Sequence, residues 1–157
     1  MRYLEDFTIG DTFTFEAEPM SSADIMAFAQ DWDPQRLHTD VDYATAIHGS
    51  LIASGFQTLL HVFRPIMRDL MVTMANIGGL GLDNLRWLRP VRPDEPLAVL
   101  FTVTGVTPSR SKPDRGVLAY RIEARNPAGD LVMTLDTATM IRRKPDPAHP
   151  NDISRRD

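Results

Sequence analysis

Apolar and polar residues alternate at the start of the chain and through much of its second half. Phe13, Phe15 and Ala17 alternate with polar neighbours, which predicts a half-buried strand near the N terminus. The same period of two recurs later, where a turn over residues 126–130 joins two segments into a hairpin. The later predicted strands are 80–91, 99–104, 118–125 and 131–141. The second half of the chain is therefore expected to form consecutive antiparallel strands.

Helical spacing of apolar residues separates the first strand from the later ones. Ser21 is a candidate N-cap for a first helix, with Asp24 three residues on. Pro34 should end this helix, because the residue before a proline avoids the helical region. A second, short helix is expected over residues 42–47.

The longest apolar helix is predicted to begin after Ser54 and to run for ~20 residues. Its apolar face is wide, so the helix is expected to be buried along much of its length. Pro65 should kink or split it, and Gly78 and Gly79 should mark its exit. The apolar positions of the face are Phe56, Leu59, Leu60, Phe63, Ile66, Met67, Leu70 and Met74.

One strand, a helical block and several consecutive strands predict an α+β fold. The apolar face of the sheet needs a cover, and the long central helix is the only predicted element of adequate size. The expected architecture is a curved antiparallel β-sheet wrapped around a long central α-helix, formed by residues 1–143 as a single domain. Residues 144–157 are rich in proline and charge, and a disordered tail is expected there.

Composition restricts the classes of function. A length of 157 residues suits one domain with its own core. The formal net charge of −4 argues against general nucleic-acid binding, and the absence of cysteine excludes thiolate nucleophiles and disulfides. No segment has the character of a signal peptide or a membrane span, so a cytoplasmic protein without a membrane partner is expected.

The polar loop over residues 31–40 carries the candidate chemistry. Asp33 and His38 place a carboxylate close to an imidazole, as acid–base catalysis requires, and histidine titrates near neutral pH. Asp33 is a candidate either to orient a water molecule or to exchange its proton. Each residue also has a structural interpretation, Asp33 as a turn residue before Pro34 and His38 as a hydrogen-bonding group. His38 and Asp40 would give a metal ion only two ligands, so no metal is expected.

Three segments resemble the MaoC-like hydratases and dehydratases. Residues 33–38, D-P-Q-R-L-H, resemble the family signature D-x-N-P-x-H and keep its spacing from aspartate to histidine. Residues 49–55, G-S-L-I-A-S-G, resemble the family segment G-x-x-I-A-H-G. Residues 85–94 resemble a strand and turn that contain P-V-x-x-G-D, and the whole resemblance extends over about residues 5–143.

This resemblance implies a hot-dog fold, a homodimer and reversible addition of water to a trans-2-enoyl thioester. Enoyl-CoA or 3-hydroxyacyl-CoA is then the substrate, and no cofactor is implied. By position, Asp33 and His38 are the implied catalytic pair. The Gly55 backbone N–H is the implied donor to the thioester oxygen, although close packing of the helix against the sheet also explains a glycine there.

Three residues depart from the family pattern and are candidates for binding substrate. Gln35 replaces Asn, Arg36 replaces Pro, and Ser54 replaces His. Ser54 lacks the G-x-S-x-G context of a nucleophile and is also a candidate N-cap of the central helix. Arg110 and Lys112 lie in a basic turn and are candidates for binding coenzyme A phosphates, with a solvated hairpin turn as the alternative.

Two other functions remain open at the level of sequence. The first is thioester hydrolysis, since one fold supports several activities. Hot-dog thioesterases commonly place their acid on the central helix, whereas residues 56–61 contain no carboxylate and the next one is Asp69. The second is a non-catalytic acyl-CoA-binding or assembly subunit, which would be expected to lose the aspartate or the histidine.

Overall fold

A five-stranded antiparallel sheet packs against one long helix in the computed structural model, which describes residues 1–145. The strands are β1 (Thr12–Ala17), β2 (Asn76–Trp87), β3 (Leu97–Pro108), β4 (Arg115–Arg125) and β5 (Leu131–Arg142). The helices are α1 (Ser22–Trp32), α2 (Arg36–Thr39), α3 (Val41–His48) and α4 (Gly55–Asp69). The strand order is β1-β3-β4-β5-β2, and all neighbours are antiparallel. This is the α+β hot-dog fold that the sequence predicted.

The core lies between α4 and the inner face of the sheet. Val62 and Ile66 on α4 are fully buried. Buried and less buried residues alternate along β3 and β4, as expected when one face of a sheet is covered. The largest fully buried strand residues are Phe101, Leu97, Leu118, Ile122, Met133, Leu135 and Ile141.

The central helix α4 is shorter and less enclosed than predicted. It ends at Asp69 and is followed by a 3-10 turn, Met71–Thr73, so it does not reach the glycine pair. Pro65 is buried inside the helix without dividing it. Phe56 and Leu60 remain 59% and 61% exposed, because the sheet covers only one side of α4.

Strand β2 begins before the predicted position and forms an irregular edge of the sheet. Gly78 and Gly79 lie inside the strand and do not mark an exit from the helix. The pairing of β2 with β5 shifts register three times along its length. Thr139 and Thr137 on β5 donate their hydroxyls to the carbonyls of Gly78 and Gly81 at 2.9 and 2.6 Å. These hydrogen bonds give partners to backbone carbonyls at the positions where the pairing of β2 with β5 shifts register.

The end of β5 is tied to the start of the chain. The Arg143 guanidinium donates to the Glu5 carboxylate at 2.6 Å, and the Lys144 backbone N–H donates to the same carboxylate at 2.9 Å. Of the predicted tail, residues 146–157 lie outside the described residues. Among residues 1–145, no helix has both the length and the apolar character needed to cross a membrane.

Candidate active site

The end of α1 positions Asp33. The predicted capping box is present: the Ser21 hydroxyl accepts from the Asp24 N–H at 3.1 Å, and the Asp24 carboxylate accepts from the Ser21 N–H at 3.0 Å. At the other end, the Asp33 N–H donates to the Ala29 carbonyl at 2.9 Å, and Pro34 follows. Asp33 is therefore held at the C-terminal end of α1.

Both carboxylate oxygens of Asp33 accept hydrogen bonds from neutral donors. The Ser54 hydroxyl donates to Oδ2 at 2.5 Å, and the Gln35 amide donates to Oδ1 at 2.7 Å. These two bonds, with Ser54 the larger cause, hold the pKa of Asp33 below its usual value, and nearby His38 acts in the same direction. Asp33 is consequently a fixed, ionised carboxylate.

His38 is buried on the single turn of α2, and its two nitrogens have different surroundings. Nδ1 lies 2.8 Å from the Ile52 carbonyl oxygen, which can only accept, so Nδ1 carries the proton. Nε2 lies 3.5 Å from Oδ2 of Asp33. In the neutral imidazole, Nε2 therefore presents its lone pair beside the carboxylate.

The segment before α4 is bound to the segment that follows β2. The Ala53 N–H donates to the Val91 carbonyl at 2.9 Å. The Arg92 guanidinium donates to the Ser50 hydroxyl and, at 2.9 Å, to the His48 carbonyl. Residues 51–54, which include the acceptor of the His38 proton, are all buried as a result. All three segments that resemble the family signature therefore meet at one place.

The N terminus of α4 faces the same place. Ser54 occupies the N-cap position, but its hydroxyl makes no capping bond and instead donates to Asp33. The backbone N–H of Gly55 comes first in the helix and has no acceptor inside it. A Cβ atom at Gly55 would lie 2.7 Å from Cε2 of Trp87. Close packing against Trp87 therefore requires a glycine here, independently of any catalytic role.

An open cavity of about 300 Å³ lies at the N terminus of α4. It contains His38 and Gly55 and is otherwise mostly apolar, a combination typical of small-molecule sites. The lining residues are His38, Ile52, Ala53, Gly55, Thr58, Trp87, Leu88, Arg89, Pro90 and Val91.

The structure does not bring the other predicted binding residues into this cavity. Arg36 is exposed, donates to Asp40 at 2.8 Å and lies 4.1 Å from the centre of the Tyr43 ring. Arg110 and Lys112 are exposed in the turn between β3 and β4.

The sheet register puts that turn far from the cavity. Trp87 pairs with Met133, which pairs with Ala124 near the end of β4. The basic turn comes before the first residue of β4, Arg115. The two ends of β4 are about 30 Å apart along the strand. Phosphate binding by Arg110 and Lys112 stays a prediction. Within one chain, the bound phosphates would lie about that far from the cavity.

Sequence reasoning did not identify three features of the site. The Ile52 carbonyl sets the histidine tautomer, the Ser54 hydroxyl binds Asp33, and Trp87 forms one wall. Arg89 lines the cavity and is paired with Asp130 at 3.4 Å. The sequence offered one indication of these features: Ser54 and the strand that contains Trp87 lie in segments that resemble the family motifs. Within residues 1–145, no three histidine, aspartate or glutamate side chains are grouped as a metal site.

The chain is similar in sequence to a known family and to a protein of Bacillus subtilis. The family model described as MaoC like domain matches residues 6–124. The uncharacterized protein YdeM of Bacillus subtilis (strain 168) is 30% identical over 141 residues, which cover 89% of this chain and 99% of that protein.

Solved structures show the same similarity. The MaoC-like dehydratase from Rhodospirillum rubrum is 33% identical with a TM-score of 0.83, over 93% of this chain and 100% of that chain. R-Hydratase PhaJ1 from Pseudomonas aeruginosa is 22% identical with a TM-score of 0.69, over 90% of this chain and 86% of that chain. At this lower identity the likeness supports the fold alone.

Proposed function

We propose that this chain, which belongs to the MaoC-like domain family, is a hydro-lyase that adds water reversibly to trans-2-enoyl thioesters of coenzyme A. One observation carries the proposal: His38 and Gly55, the first residue of α4, line a single, mostly apolar cavity, and Oδ2 of Asp33 lies 3.5 Å from the His38 nitrogen that presents its lone pair. Hydration needs these three groups, because a water must be held, its proton must be moved, and the thioester oxygen must be stabilised.

The arrangement favours His38 as the base. Its Nε2 has a free lone pair, whereas both oxygens of Asp33 already accept hydrogen bonds and its pKa is lowered. A carboxylate with a lowered pKa is a weak proton acceptor but a good fixed acceptor for a water O–H. Asp33 therefore orients the water, and His38 removes its proton.

The steps balance with one proton moving through His38. Nε2 takes a proton from the water while the water oxygen bonds to the β-carbon. The carbon–carbon π electrons move to the thioester, and the enolate oxygen accepts from the Gly55 N–H. The imidazolium then gives its proton to the α-carbon, which restores neutral His38. Loss of one preorganised donor at such an oxygen typically lowers the rate by ~10²–10³.

The exposed apolar surface supports a homodimer. Within residues 1–145, strand β2 has only one neighbour in the sheet, so its outer edge presents backbone groups suited to pairing with a second copy. Phe56 at the start of α4 contacts Trp87 at the end of β2, with ring centres 5.8 Å apart, and α4 also exposes Leu60 and Met67. The exposed apolar residues of β2 and α4 are Phe56, Leu60, Met67, Ile77, Leu80, Leu82 and Trp87.

The deciding experiment mixes the purified protein with trans-2-enoyl-CoA thioesters of increasing chain length. Loss of the conjugated enoyl absorbance is followed together with release of free thiol. We expect absorbance loss without thiol release. Thiol release would instead identify a thioesterase, and binding without either signal would identify an acyl-CoA-binding subunit.

A further inference from the structure

The segment between α3 and α4 holds the hydrogen-bond acceptor of His38 without a regular structure of its own. Helix α3 ends at His48, and Gly49 turns the chain out of it with a φ of 77°. Residues 51–54 belong to no helix or strand. The Ile52 carbonyl, 2.8 Å from Nδ1 of His38, is therefore not fixed by a helix or a sheet. Its position depends on contacts between this segment and the rest of the fold.

Two adjacent residues that follow β2 make hydrogen bonds on both sides of that carbonyl. The Arg92 guanidinium donates to the Ser50 hydroxyl and, at 2.9 Å, to the His48 carbonyl. The Val91 carbonyl accepts from the Ala53 N–H at 2.9 Å. The carbonyl that binds the histidine lies between these attachment points. Arg92 therefore restrains the segment on the side that leads from α3 into the carbonyl.

Arg92 is itself held in a fixed orientation. Its backbone N–H donates to the Glu95 carboxylate at 2.9 Å. Within the same turn, the Asp94 N–H donates to the Met20 carbonyl at 2.8 Å, just before α1. A guanidinium is planar and presents its donors in a fixed fork, so bonds to two different acceptors also fix its direction. The turn and the guanidinium together connect the start of α1 to the segment before α4.

Two acceptors compete for the single proton of the neutral His38 ring. The Ile52 carbonyl oxygen lies 2.8 Å from Nδ1, and Oδ2 of Asp33 lies 3.5 Å from Nε2. With the proton on Nδ1, Nε2 offers its lone pair to a water molecule, as the proposed hydration requires. With the proton on Nε2, that nitrogen would donate to Asp33 and could not act as a base. The position of the Ile52 carbonyl therefore determines whether the active or the inactive tautomer is favoured.

We infer that Arg92 is a positioning residue for His38. By binding Ser50 and His48, its guanidinium keeps the Ile52 carbonyl within hydrogen-bond distance of Nδ1 and so keeps the ring in the Nδ1–H form. Within residues 1–145, the lining of the cavity does not include Arg92, so the arginine acts through the segment before α4 and not on the substrate. Where it concerns the rate, this inference rests on the proposed function, in which His38 is the base.

The tautomer of His38 is the direct readout of this role. Two-bond nitrogen–proton correlation spectra of ¹⁵N-histidine-labelled protein, recorded in mildly alkaline buffer, show which nitrogen carries the proton. The native ring should be in the Nδ1–H form. Arg92→Met keeps an apolar stem but removes both donors, so a substantial share of the Nε2–H form should appear. Arg86→Met is the matched control and should keep the native tautomer, because the Arg86 guanidinium is exposed and donates to the carbonyl of its neighbour Leu85.

The kinetic readout separates positioning from a loss of substrate binding. On an accepted trans-2-enoyl-CoA, Arg92→Met should lower kcat by about 10–100-fold, because a small displacement of a catalytic group greatly lowers the rate. KM should change by less than about twofold, since the variant removes no contact with the substrate. Arg86→Met should leave both constants at their native values.

Arg92→Lys tests whether the guanidinium fork is required. Lysine keeps the charge but replaces two separated N–H groups with one ammonium, so it should restore only part of the Nδ1–H form and of kcat. A native tautomer in either Arg92 variant would overturn the inference, and so would a shifted tautomer with native kcat. Melting temperature and circular dichroism establish that each variant is folded. If the methionine variant does not fold, the lysine variant decides.

The tautomer spectra need no turnover, so this inference and the proposed function can fail separately. A tautomer shift in Arg92→Met, in a protein that hydrates no enoyl thioester, would support the positioning role and reject the hydratase. Hydration by the native protein, with an unchanged His38 tautomer in both Arg92 variants, would leave the hydratase proposal standing and reject the role of Arg92.

Discussion

Nε2 of His38 lies 3.5 Å from Oδ2 of Asp33, with the histidine proton held on the opposite nitrogen by the Ile52 carbonyl. This separation is longer than a strong direct hydrogen bond and lets both atoms bind one water molecule. Ser54 donates to that same Oδ2 oxygen. This geometry leaves room for one water molecule bound by both the carboxylate at the end of α1 and the imidazole on α2, as the proposed mechanism requires.

Replacing either member of the pair should abolish most hydration while leaving binding largely intact. We expect His38→Ala to lower kcat by about 10²–10⁴, the range typical of a lost acid–base group, and Asp33→Asn to lower kcat because the water loses its fixed acceptor. Steady-state kinetics on an accepted enoyl-CoA provides the measurement. Asp31→Asn is the matched control, because Asp31 is exposed two residues away and should keep native kcat. Equal rates for Asp33→Asn and the native protein would remove Asp33 from the mechanism.

The neutral His38 ring should be in the Nδ1–H form. The bond from Nδ1 to the Ile52 carbonyl at 2.8 Å requires this tautomer. Two-bond nitrogen–proton correlation spectra of ¹⁵N-histidine-labelled protein, recorded in mildly alkaline buffer, distinguish the two forms. His38→Ala identifies the signal. A neutral ring protonated on Nε2 would contradict the assignment of His38 as the base.

Ser54→Ala should destabilise the protein in a way that depends on pH. The Ser54 hydroxyl is the largest cause of the lowered pKa of Asp33, whose ordinary value is 3.8. A carboxyl with a lowered pKa stabilises the fold fully above its ordinary pKa, and this stabilisation is lost as the pH falls through the lowered value. The variant should lose about 1–3 kcal/mol of unfolding free energy at pH 7, and the difference should shrink below about pH 4.

Urea denaturation at several pH values between 7 and 3 measures that difference. Ser50→Ala is a useful comparison, because the Ser50 hydroxyl binds Arg92 and no carboxylate. Its effect on stability should stay nearly constant over the range in which the Ser54→Ala effect shrinks. A Ser54→Ala effect that does not change with pH would show that the bond to Asp33 contributes little.

Gly55→Ala should fail chiefly because of Trp87. The new Cβ would lie within 2.7–3.0 Å of three indole atoms, whereas the backbone N–H is retained. Overpacking of this kind typically costs about 1–3 kcal/mol. In a Trp87→Ala background the same substitution should cost much less, and hydration should fall little below that of Trp87→Ala alone. A double-mutant cycle in stability and kcat measures both effects. The same cost in both backgrounds would contradict the packing explanation.

Charge on the outer edge of β2 should separate the proposed dimer. Leu80 and Leu82 are 52% and 49% exposed, and lysine at either position would place a charge in the pairing surface. Light scattering after size-exclusion chromatography should give half the native mass for Leu80→Lys and Leu82→Lys. Ile9→Lys, at an exposed site outside β2 and α4, should leave the mass unchanged. A native protein that is already monomeric would reject the homodimer.

Most secondary structure followed from signals within a few residues. The capping box of Ser21 and Asp24 and the stop at Pro34 bounded α1 correctly, because caps and prolines act locally. Strands β3 to β5 followed from their period of two. The predicted start of β2 was too far along the chain, and the predicted α4 was too long. Both errors arose because β2 is glycine-rich and its irregular pairing depends on β5, which lies far along the chain.

The candidate site was only partly predictable. The motif identified Asp33, His38 and Gly55, but its position in the sequence did not distinguish a proton acceptor from a water-orienting group. The roles proposed for the two residues rest on the hydrogen bond from Ser54, 21 residues from Asp33, and on the Ile52 carbonyl, 14 residues from His38. For the basic turn with Arg110 and Lys112, the sequence shows the positive charges. It does not show how far the turn lies from the cavity.

Caps, periodicity and motif spacing were thus sufficient for the α+β class, the order of most elements and the choice of candidate residues for the proposed chemistry. Folding decided which hydroxyl binds Asp33, which nitrogen of His38 carries a proton, why Gly55 has no side chain and which arginine binds the segment before α4. The physical reason is that local backbone preferences act between near neighbours. Hydrogen-bond partners and buried contacts are chosen instead among groups that only the packed sheet and helix bring together.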